Sequence, residues 1–184
     1  KFFIRTDNLV LSSIILDLPF IFIFIFFFIV YKWSMSNKII IINGPNLNLL
    51  GEREQSQYGK ITLEEINEKC VETGKKLNLH IEFKQSNIEG EIVNFIQNAR
   101  NEFNGLIINA AGFTHTSVSI RDALDIFKNP IIEVHISNIY KREEFRQKSL
   151  ISHVATGGIF GIGPECYNLA IHAINKLIIS NGSW

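Results

Sequence analysis

From about Asn37 onward the sequence predicts an α/β fold, a doubly wound three-layer sandwich in which helices cover both faces of a five-stranded parallel sheet. Short apolar runs rich in β-branched residues alternate five times with segments of helical period. Continuously apolar runs are typical of strands that are buried on both faces, as in a parallel sheet. The length of 184 residues suits one such domain.

The five strands differ in the strength of their pattern. The first is an isoleucine run that ends at Asn43, and the second alternates apolar and polar residues from His80. The fifth is weakened by Gly157 and Gly158, which have no side chains to pack. The predicted strands are residues 38–43, 80–85, 105–109, 130–135 and 154–159.

The helical segments carry recognisable start signals. Thr62 and Glu65 have the spacing of a capping box. Pro164 begins the last helical segment, and proline is common in the first turn of a helix. The predicted helical segments are residues 62–77, 88–103, 117–127, the short piece 141–147, and 164–179. Since helices separate the strands, the crossovers should be right-handed and the strands parallel.

The composition excludes several classes of protein. Lys+Arg and Asp+Glu both number 18, so no basic excess suggests a nucleic-acid partner. The two cysteines, Cys70 and Cys166, are far apart and outside any C-x-x-C spacing. They therefore argue against a disulfide framework and a zinc site, and they fit a reducing compartment such as the cytoplasm.

The N-terminal residues 1–34 stand apart in composition. Residues 18–31 carry no charge, whereas a transmembrane helix needs about 20 apolar residues, and the Phe/Ile alternation has strand-like period. Three interpretations compete: a membrane anchor, a targeting segment without a small-residue cleavage site, or a translated stretch upstream of the true start. We favour the third, because Met35 is the only methionine and a typical strand follows it. Residues 35–184 are then a single domain.

Polar residues collect where the predicted strands end. In a parallel sheet these ends share one edge, which is where doubly wound folds bind ligands. Buried polar side chains are costly unless they are paired, so their concentration at one edge predicts a polar pocket. The residues after the first, third and fourth strands are Asn46, Arg53 and Tyr58, then Asn109 and His115, then His135, Ser137, Arg142 and Arg146.

Each of these residues also has an ordinary structural explanation. Tyr58 could be a packing residue, His135 a satisfied core histidine and Asn109 a turn former. Arg142 and Arg146 have the i, i+4 spacing of a charged helix face. Independent packing explanations would not place all of them at the same edge, and this convergence favours a functional site.

Motifs for common cofactors are missing. The pair Gly161 and Gly163 lies between a strand and a helix, but Cys166 stands where a dinucleotide loop has its third glycine, so we interpret the pair as a tight turn. The Walker phosphate loop is absent from the sequence. His115 and His135 without a cysteine or a carboxylate cluster make a weak metal site.

Four segments together resemble the type II 3-dehydroquinate dehydratases over about residues 38–179. These segments are IINGPNLNLLGEREQSQYG, GLIINAAGFTHTSVSIRDAL, PIIEVHISNIYKREEFRQKS and ATGGIFGIG. The resemblance implies a flavodoxin-like fold, with residues 35–184 as one catalytic domain. It implies the removal of water from 3-dehydroquinate to give 3-dehydroshikimate in the shikimate pathway, with no metal and no cofactor. Residues 1–34 match nothing in this family.

The resemblance also implies roles in the elimination. Tyr58 would remove a proton next to the substrate ketone, and Arg53 would favour the tyrosinate of a residue that titrates near ~10. His135 would protonate the departing hydroxyl, with its ring oriented by Glu133. Asn46 would help to hold a water that stabilises the enolate.

Further residues would hold the substrate or complete the assembly. The resemblance implies that some of them bind the substrate's hydroxyl and carboxylate groups. Others belong to a loop that closes over the site, and one reaches the site of a neighbouring subunit. These residues are Asn109, His115 and Arg146 for the substrate groups, the backbone N–H groups of Ile136 and Ser137 for the carboxylate, Arg142 with Arg53 for the loop, and Asp122 for the neighbour. The resemblance thus implies a trimer at least, and commonly a dodecamer. Ala111, where the family often has glycine, is a minor departure.

Two alternatives remain open from the residues alone. One is a flavodoxin-like module that binds flavin or a nucleotide without catalysis, although the loop after the first strand carries Asn and Pro and only a single serine, Ser56. The other is a scaffold that is anchored to a membrane through its apolar N-terminal residues.

Overall fold

The computed structural model describes residues 36–52 and 60–180. All the elements below lie in the unit Asn37–Trp184. The N-terminal residues 1–34 lie outside the described residues, so the prediction that they are not part of the mature fold stays a prediction. Within the two described stretches no helix combines the length and the apolar character needed to cross a membrane.

Five parallel strands form one sheet. They are β1 (Asn37–Asn43), β2 (Leu79–Gln85), β3 (Gly105–Asn109), β4 (Ile131–His135) and β5 (Gly157–Phe160), in the spatial order β2-β1-β3-β4-β5. This order is that of the flavodoxin-like doubly wound fold, in which the direction of strand addition across the sheet reverses between β1 and β3. The predicted five-stranded parallel sheet is confirmed.

Within the described residues, four α-helices cover the sheet. They are α1 (Leu63–Lys76), α2 (Glu89–Ala99), α3 (Val118–Asp125) and α4 (Glu165–Ile179). The predicted capping box is present, since the Thr62 hydroxyl accepts from the Glu65 N–H while the Glu65 carboxylate accepts from the Thr62 N–H. Pro164 is the residue that precedes α4.

Alternate residues of each strand point to opposite faces, and this divides the core in two. On one face Ile39, Ile41 and Val134 pack with buried residues of α1 and α4, such as Ile66 and Ile171. On the other face the core contains buried residues of α2 and α3. This second core includes Ile40, Ile42, Leu106 and Ile108 of the sheet and Ile92, Ile96, Ile120 and Leu124 of the two helices. The three-layer sandwich is therefore confirmed.

Three predicted elements have different bounds in the structure, and the first is the second helix, which ends at Ala99 rather than at Phe103. The fifth strand was expected from Val154, but Val154 and Ala155 donate their N–H groups to the Ile151 carbonyl and so belong to a turn. The predicted helical piece 141–147 consists of two separate 3-10 turns, Ile139–Lys141 and Glu144–Arg146. Arg142 between them has extended backbone angles and interrupts any continuous helix.

Candidate active site

A polar pocket lies at the carboxyl ends of the central strands. Its volume is about 170 Å³, which is smaller than the roughly 300–1,000 Å³ of sites for drug-sized ligands and fits a small metabolite. The lining residues come from the segments that follow β1, β3 and β4. They are Pro45, Asn46, Leu47, Asn109, Ala111, Gly112, His115, His135, Ile136, Ser137, Ile139, Arg142 and Arg146.

The pocket brings together most of the residues that the sequence predicted for the site. The predicted residues among its lining are Asn46, Asn109, His115, His135, Ile136, Ser137, Arg142 and Arg146. Tyr58 and Arg53 lie outside the described residues. Asp122 is exposed on α3, where its carboxylate pairs with Arg121 at 2.8 Å, and it does not line this pocket.

The turn after β1 depends on a close approach to β3. The Gly44 N–H donates to the Asn109 carbonyl at 2.7 Å, and a Cβ at Gly44 would lie 2.4 Å from the Ala110 carbonyl oxygen. Asn46 follows with φ of 65°, a left-handed conformation that asparagine tolerates better than most residues. Its N–H donates to the side chain of Asn87 at 2.8 Å, which fixes this turn against the end of β2.

A buried phenol supports the floor of the pocket. The Tyr167 hydroxyl on α4 donates to Asn43 Oδ1 at 2.6 Å and accepts from Asn109 Nδ2 at 2.8 Å. Burial raises the pKa of Tyr167 far above its ordinary value, so it stays a neutral donor. The contact thereby joins α4 to the ends of β1 and β3 and orients the Asn109 amide.

The segment after β3 presents His115. It forms the 3-10 turn Ala111–His115, and Ala111 begins it with φ of 50°. A positive φ favours glycine, so the alanine found here adopts a conformation that costs roughly 1–2 kcal/mol for an L-residue. The Ala111 N–H donates to Asn109 Oδ1 at 3.3 Å, which ties the turn to the end of β3.

His115 is held in one tautomer. Its Nδ1 lies 2.9 Å from the Lys148 carbonyl, which can only accept, so Nδ1 carries the proton. Burial lowers the pKa of His115, and the nearby His135 and Arg146 lower it further. The imidazole is therefore neutral at physiological pH and offers the Nε2 lone pair to a donor such as a hydroxyl group.

His135 ends β4 and is paired with a buried carboxylate. Its Nε2 lies 2.8 Å from Glu133 Oε1, two residues earlier on the same side of the strand, as the sequence predicted. The two side chains are 7% and 1% exposed, so solvent screens this pair very little. The His135 ring is nearly parallel to the His115 ring, with 6.4 Å between the ring centres, and its centre lies 5.3 Å from that of the Phe160 ring.

Glu133 is satisfied from three directions. Besides His135, its carboxylate accepts hydrogen bonds from the hydroxyls of Ser149 and Ser152. Burial alone would raise the pKa of Glu133, but the hydrogen bonds from His135, Ser152 and Ser149 together hold it below its ordinary value. Glu133 therefore stays ionised although it is buried.

Two arginines supply positive charge to the pocket. Arg146 Nε and Arg142 Nε lie 3.0 Å and 3.4 Å from the same Glu143 oxygen. The Arg146 guanidinium also lies 5.1 Å from the centre of the Phe145 ring. Because Glu143 is largely exposed, a ligand carboxylate can compete with it for these two cations.

The described residues do not form a metal centre. Nowhere in residues 36–52 and 60–180 do three or more His, Cys, Asp or Glu side chains gather closely enough to hold an ion. The acid–base groups, the arginines and the pocket are suited to binding a small anionic substrate and moving protons on it.

Several supporting residues were missed from the sequence. Asn43 and Ser149 lie within the quoted motif segments but were given no role, whereas Tyr167 and Ser152 lie outside those segments. Each of their contacts joins parts of the chain that are distant in sequence. One signal was available: a glutamate inside an apolar strand requires donors, and these had to come from elsewhere.

Known proteins share the sequence and the fold of this chain over about three quarters of its length. The family described as "Dehydroquinase class II" matches residues 37–175. The "3-dehydroquinate dehydratase" of Campylobacter jejuni is 55% identical over 140 residues, covering 76% of this chain and 88% of that protein. The "3-dehydroquinate dehydratase 1" of Agrobacterium fabrum is 48% identical over 143 residues, covering 78% of this chain and 99% of that protein.

Solved structures agree as well. The type II dehydroquinase of Butyrivibrio crossotus has a TM-score of 0.75 at 44% identity, covering 76% of this chain and 98% of that chain. The type II dehydroquinase of Propionibacterium acnes has a TM-score of 0.75 at 39% identity, covering 77% of this chain and 98% of that chain. The chain therefore belongs to the class II dehydroquinase family.

Proposed function

We propose that this chain catalyses the trans-elimination of water from 3-dehydroquinate, giving 3-dehydroshikimate through an enolate in the shikimate pathway. The observation that carries the proposal is a pocket lined by His115, His135 and two arginines in a member of the class II dehydroquinase family. The reaction removes a proton from the carbon next to the ketone, and the electron pair forms the enolate. The enolate then expels the hydroxyl group, which leaves as water once it has been protonated.

His135 is the proposed acid. With Nε2 hydrogen-bonded to the ionised Glu133, Nδ1 is the ring nitrogen that remains for the substrate. A protonated Nδ1 donates to the departing hydroxyl, and Glu133 stabilises the imidazolium before the transfer. The burial of both side chains keeps this attraction strong.

Tyr58 is the proposed base, and Arg53 is the proposed cation that favours its ionised form. Both roles come from the motif QSQYG and the preceding arginine rather than from measured geometry. Asn46, at the start of the same loop, lines the pocket and is proposed to hold a water that stabilises the enolate.

The remaining lining residues are proposed to hold the substrate. His115 Nε2 and the Asn109 amide suit hydroxyl groups, because one can only accept while the other can donate and accept. Arg146 suits the carboxylate, together with the backbone N–H groups of Ile136 and Ser137, which directly follow β4.

The proposed assembly is a homo-oligomer, a dodecamer that is built from trimers. Asp122 is exposed on α3 and does not line the pocket of its own chain, a placement that leaves it available to a neighbouring subunit. The proposed location is the cytoplasm, which is consistent with Cys70 and Cys166 being buried free thiols.

Two substitutions test the proposed roles. Tyr58→Phe removes the ionisable hydroxyl and should lower kcat at least about 10²-fold, the lower end of the contribution of general acid–base catalysis, while leaving thermal unfolding unchanged.

His135→Ala removes the proposed acid and should also lower kcat at least about 10²-fold. Near wild-type turnover in either folded variant would remove that residue from its proposed role.

A further inference from the structure

The segment 148–152 holds one histidine of the pocket directly and the other through Glu133. The Lys148 carbonyl accepts from His115 Nδ1, and the Leu150 N–H donates to the Thr114 carbonyl at 2.9 Å. Ser149 and Ser152 in the same segment donate to Glu133, the partner of His135. One short stretch of chain therefore anchors both ring systems.

The direction of the Ser149 hydrogen bond is fixed by counting. Its oxygen accepts from the N–H groups of Ile151 at 3.1 Å and Ser152 at 3.0 Å, which uses both lone pairs. Its single proton must then go to Glu133 Oε1, 2.8 Å away. Glu133 Oε1 is therefore the acceptor of the hydrogen bond from Ser149.

This arrangement determines the tautomer of His135. Glu133 Oε1 accepts from Ser149 and Oε2 accepts from Ser152, so Oε1 meets His135 Nε2 as an acceptor as well. Nε2 must therefore carry a proton in both charge states of the ring. The proton that can be exchanged with a substrate is consequently the one on Nδ1.

We propose that Ser149 and Ser152 are positioning residues for the dehydration, which act through Glu133 to keep His135 in the tautomer whose Nδ1 serves the substrate. The inference rests on the proposed acid role of His135. Neither serine lines the pocket, and their hydroxyl protons reach His135 through the Glu133 carboxylate. The other ionisable groups around the pair are His115 from the turn after β3, Arg142 and Arg146 from the segment after β4, and the Cys166 thiol of α4, which donates to the His135 carbonyl.

Ser152 offers the cleaner substitution. Ser149 also supports the turn of its own segment, whereas Ser152 is an exposed residue whose hydroxyl bonds to Glu133. Ser152→Ala should lower kcat about tenfold with KM within about twofold, in line with the effect of removing an outer partner of an oriented histidine. Ser152→Thr keeps the hydroxyl and should restore kcat.

The pH profile separates a positioning role from a merely structural one. Without the Ser152 hydroxyl the pKa of Glu133 rises, so the carboxylate takes up a proton at a higher pH. The acid limb of kcat should then move to higher pH in Ser152→Ala and return in Ser152→Thr. Thr73→Val is the matched control, since it removes a hydroxyl bonded to Asn168 between α1 and α4 and should leave kcat and its profile unchanged.

A double variant shows whether the serine acts through the histidine. In the His135→Ala background, Ser152→Ala should cause no further loss of the residual rate, because the pathway of its effect is already cut. A further tenfold loss there would overturn the proposal, as would an unchanged kcat or an unmoved acid limb in Ser152→Ala. If His135→Ala itself keeps wild-type turnover, the proposed acid role fails first, and the two failures are thus distinguished.

A readout independent of activity completes the test. In ¹⁵N spectra of histidine-labelled protein recorded over a pH series, the neutral ring of the wild type should show the tautomer protonated at Nε2. Without the two hydroxyls Glu133 takes up a proton at a higher pH and can then donate to Nε2, so Ser149→Ala/Ser152→Ala should shift the ring toward the tautomer protonated at Nδ1 at a higher pH than in the wild type. An unshifted spectrum in the folded double variant would contradict the proposal.

Discussion

Glu133 is a carboxylate inside a parallel sheet, where an ion without donors would cost several kcal/mol. Its bonds to His135, Ser149 and Ser152 offset that cost and lower its pKa. In the unfolded chain the same group has its ordinary pKa near 4.5. Glu133 therefore contributes stability that is fully present above this value and is lost as the pH falls through its lower folded pKa.

This linkage gives a prediction for Glu133→Gln. The difference in the free energy of unfolding between wild type and variant should be largest near neutral pH and should shrink as the pH falls below about 4.5. Urea unfolding at a series of pH values measures it. A difference that stays constant down to pH values near 3, below the ordinary pKa of the group, would contradict the ionised state assigned to Glu133.

At the scale of single residues the sequence revealed the ends of the strands but not the contacts behind them. Asn109, His115 and His135 could be predicted together because the ends of parallel strands share one edge. The bond from Tyr167 to Asn43 joins residues 124 positions apart, so it depends on how α4 packs on the sheet. The Ser149 bond to Glu133 likewise follows from the path of an irregular segment, which no periodicity describes.

Among the elements, the turn after β1 is the one most constrained by packing. Gly44 has room for no side chain, because a Cβ would overlap the Ala110 carbonyl at 2.4 Å. That overlap would separate β1 from β3 at the point where Asn46 and Asn109 reach the pocket. The spacing between the two turns is thus set by a single glycine.

Substitution of this glycine has an expected result. Gly44→Ala should lower the free energy of unfolding by more than about 1 kcal/mol and also lower kcat/KM, since relief of the overlap moves both turns. Thermal unfolding and steady-state kinetics measure the two effects. Gly90→Ala on α2 is the control: a Cβ there meets nothing within 4 Å, and the change should stabilise the helix by roughly 0.5–1 kcal/mol with unaltered kinetics. If the two variants unfolded alike, the close approach at Gly44 would not constrain the fold.

Elements with strong periodicity were predicted well, and irregular ones were not. The isoleucine run of β1 and the capping box of α1 are local signals that the structure confirms. The start of β5 was wrong because hydrogen bonds to the Ile151 carbonyl hold the preceding residues in a turn. The expected helix at 141–147 was wrong because extended angles at Arg142 interrupt it, although its charge pattern is helical.

For the whole molecule, the proposed trimeric unit makes a prediction about Asp122. Asp122→Asn should lower kcat/KM by about tenfold, because a hydrogen bond to a charged group contributes roughly 1.5–3 kcal/mol. If Asp122 serves a neighbour, mixing Asp122→Asn with His135→Ala subunits and allowing exchange should restore part of the activity.

The mass of the assembly tests the same proposal. Light scattering after size exclusion should give the mass of a trimer or a multiple of it. A fully active monomer would contradict the shared site.

The proposed dehydration of 3-dehydroquinate can be followed directly through the absorbance of its product. Purified protein is mixed with 3-dehydroquinate, and the near-ultraviolet absorbance of the conjugated enone of 3-dehydroshikimate is followed with time. A rise is expected whose rate scales with protein concentration and falls at least about 10²-fold in His135→Ala. An absorbance that stays flat with folded wild-type protein, or that rises equally with His135→Ala, would contradict the proposal.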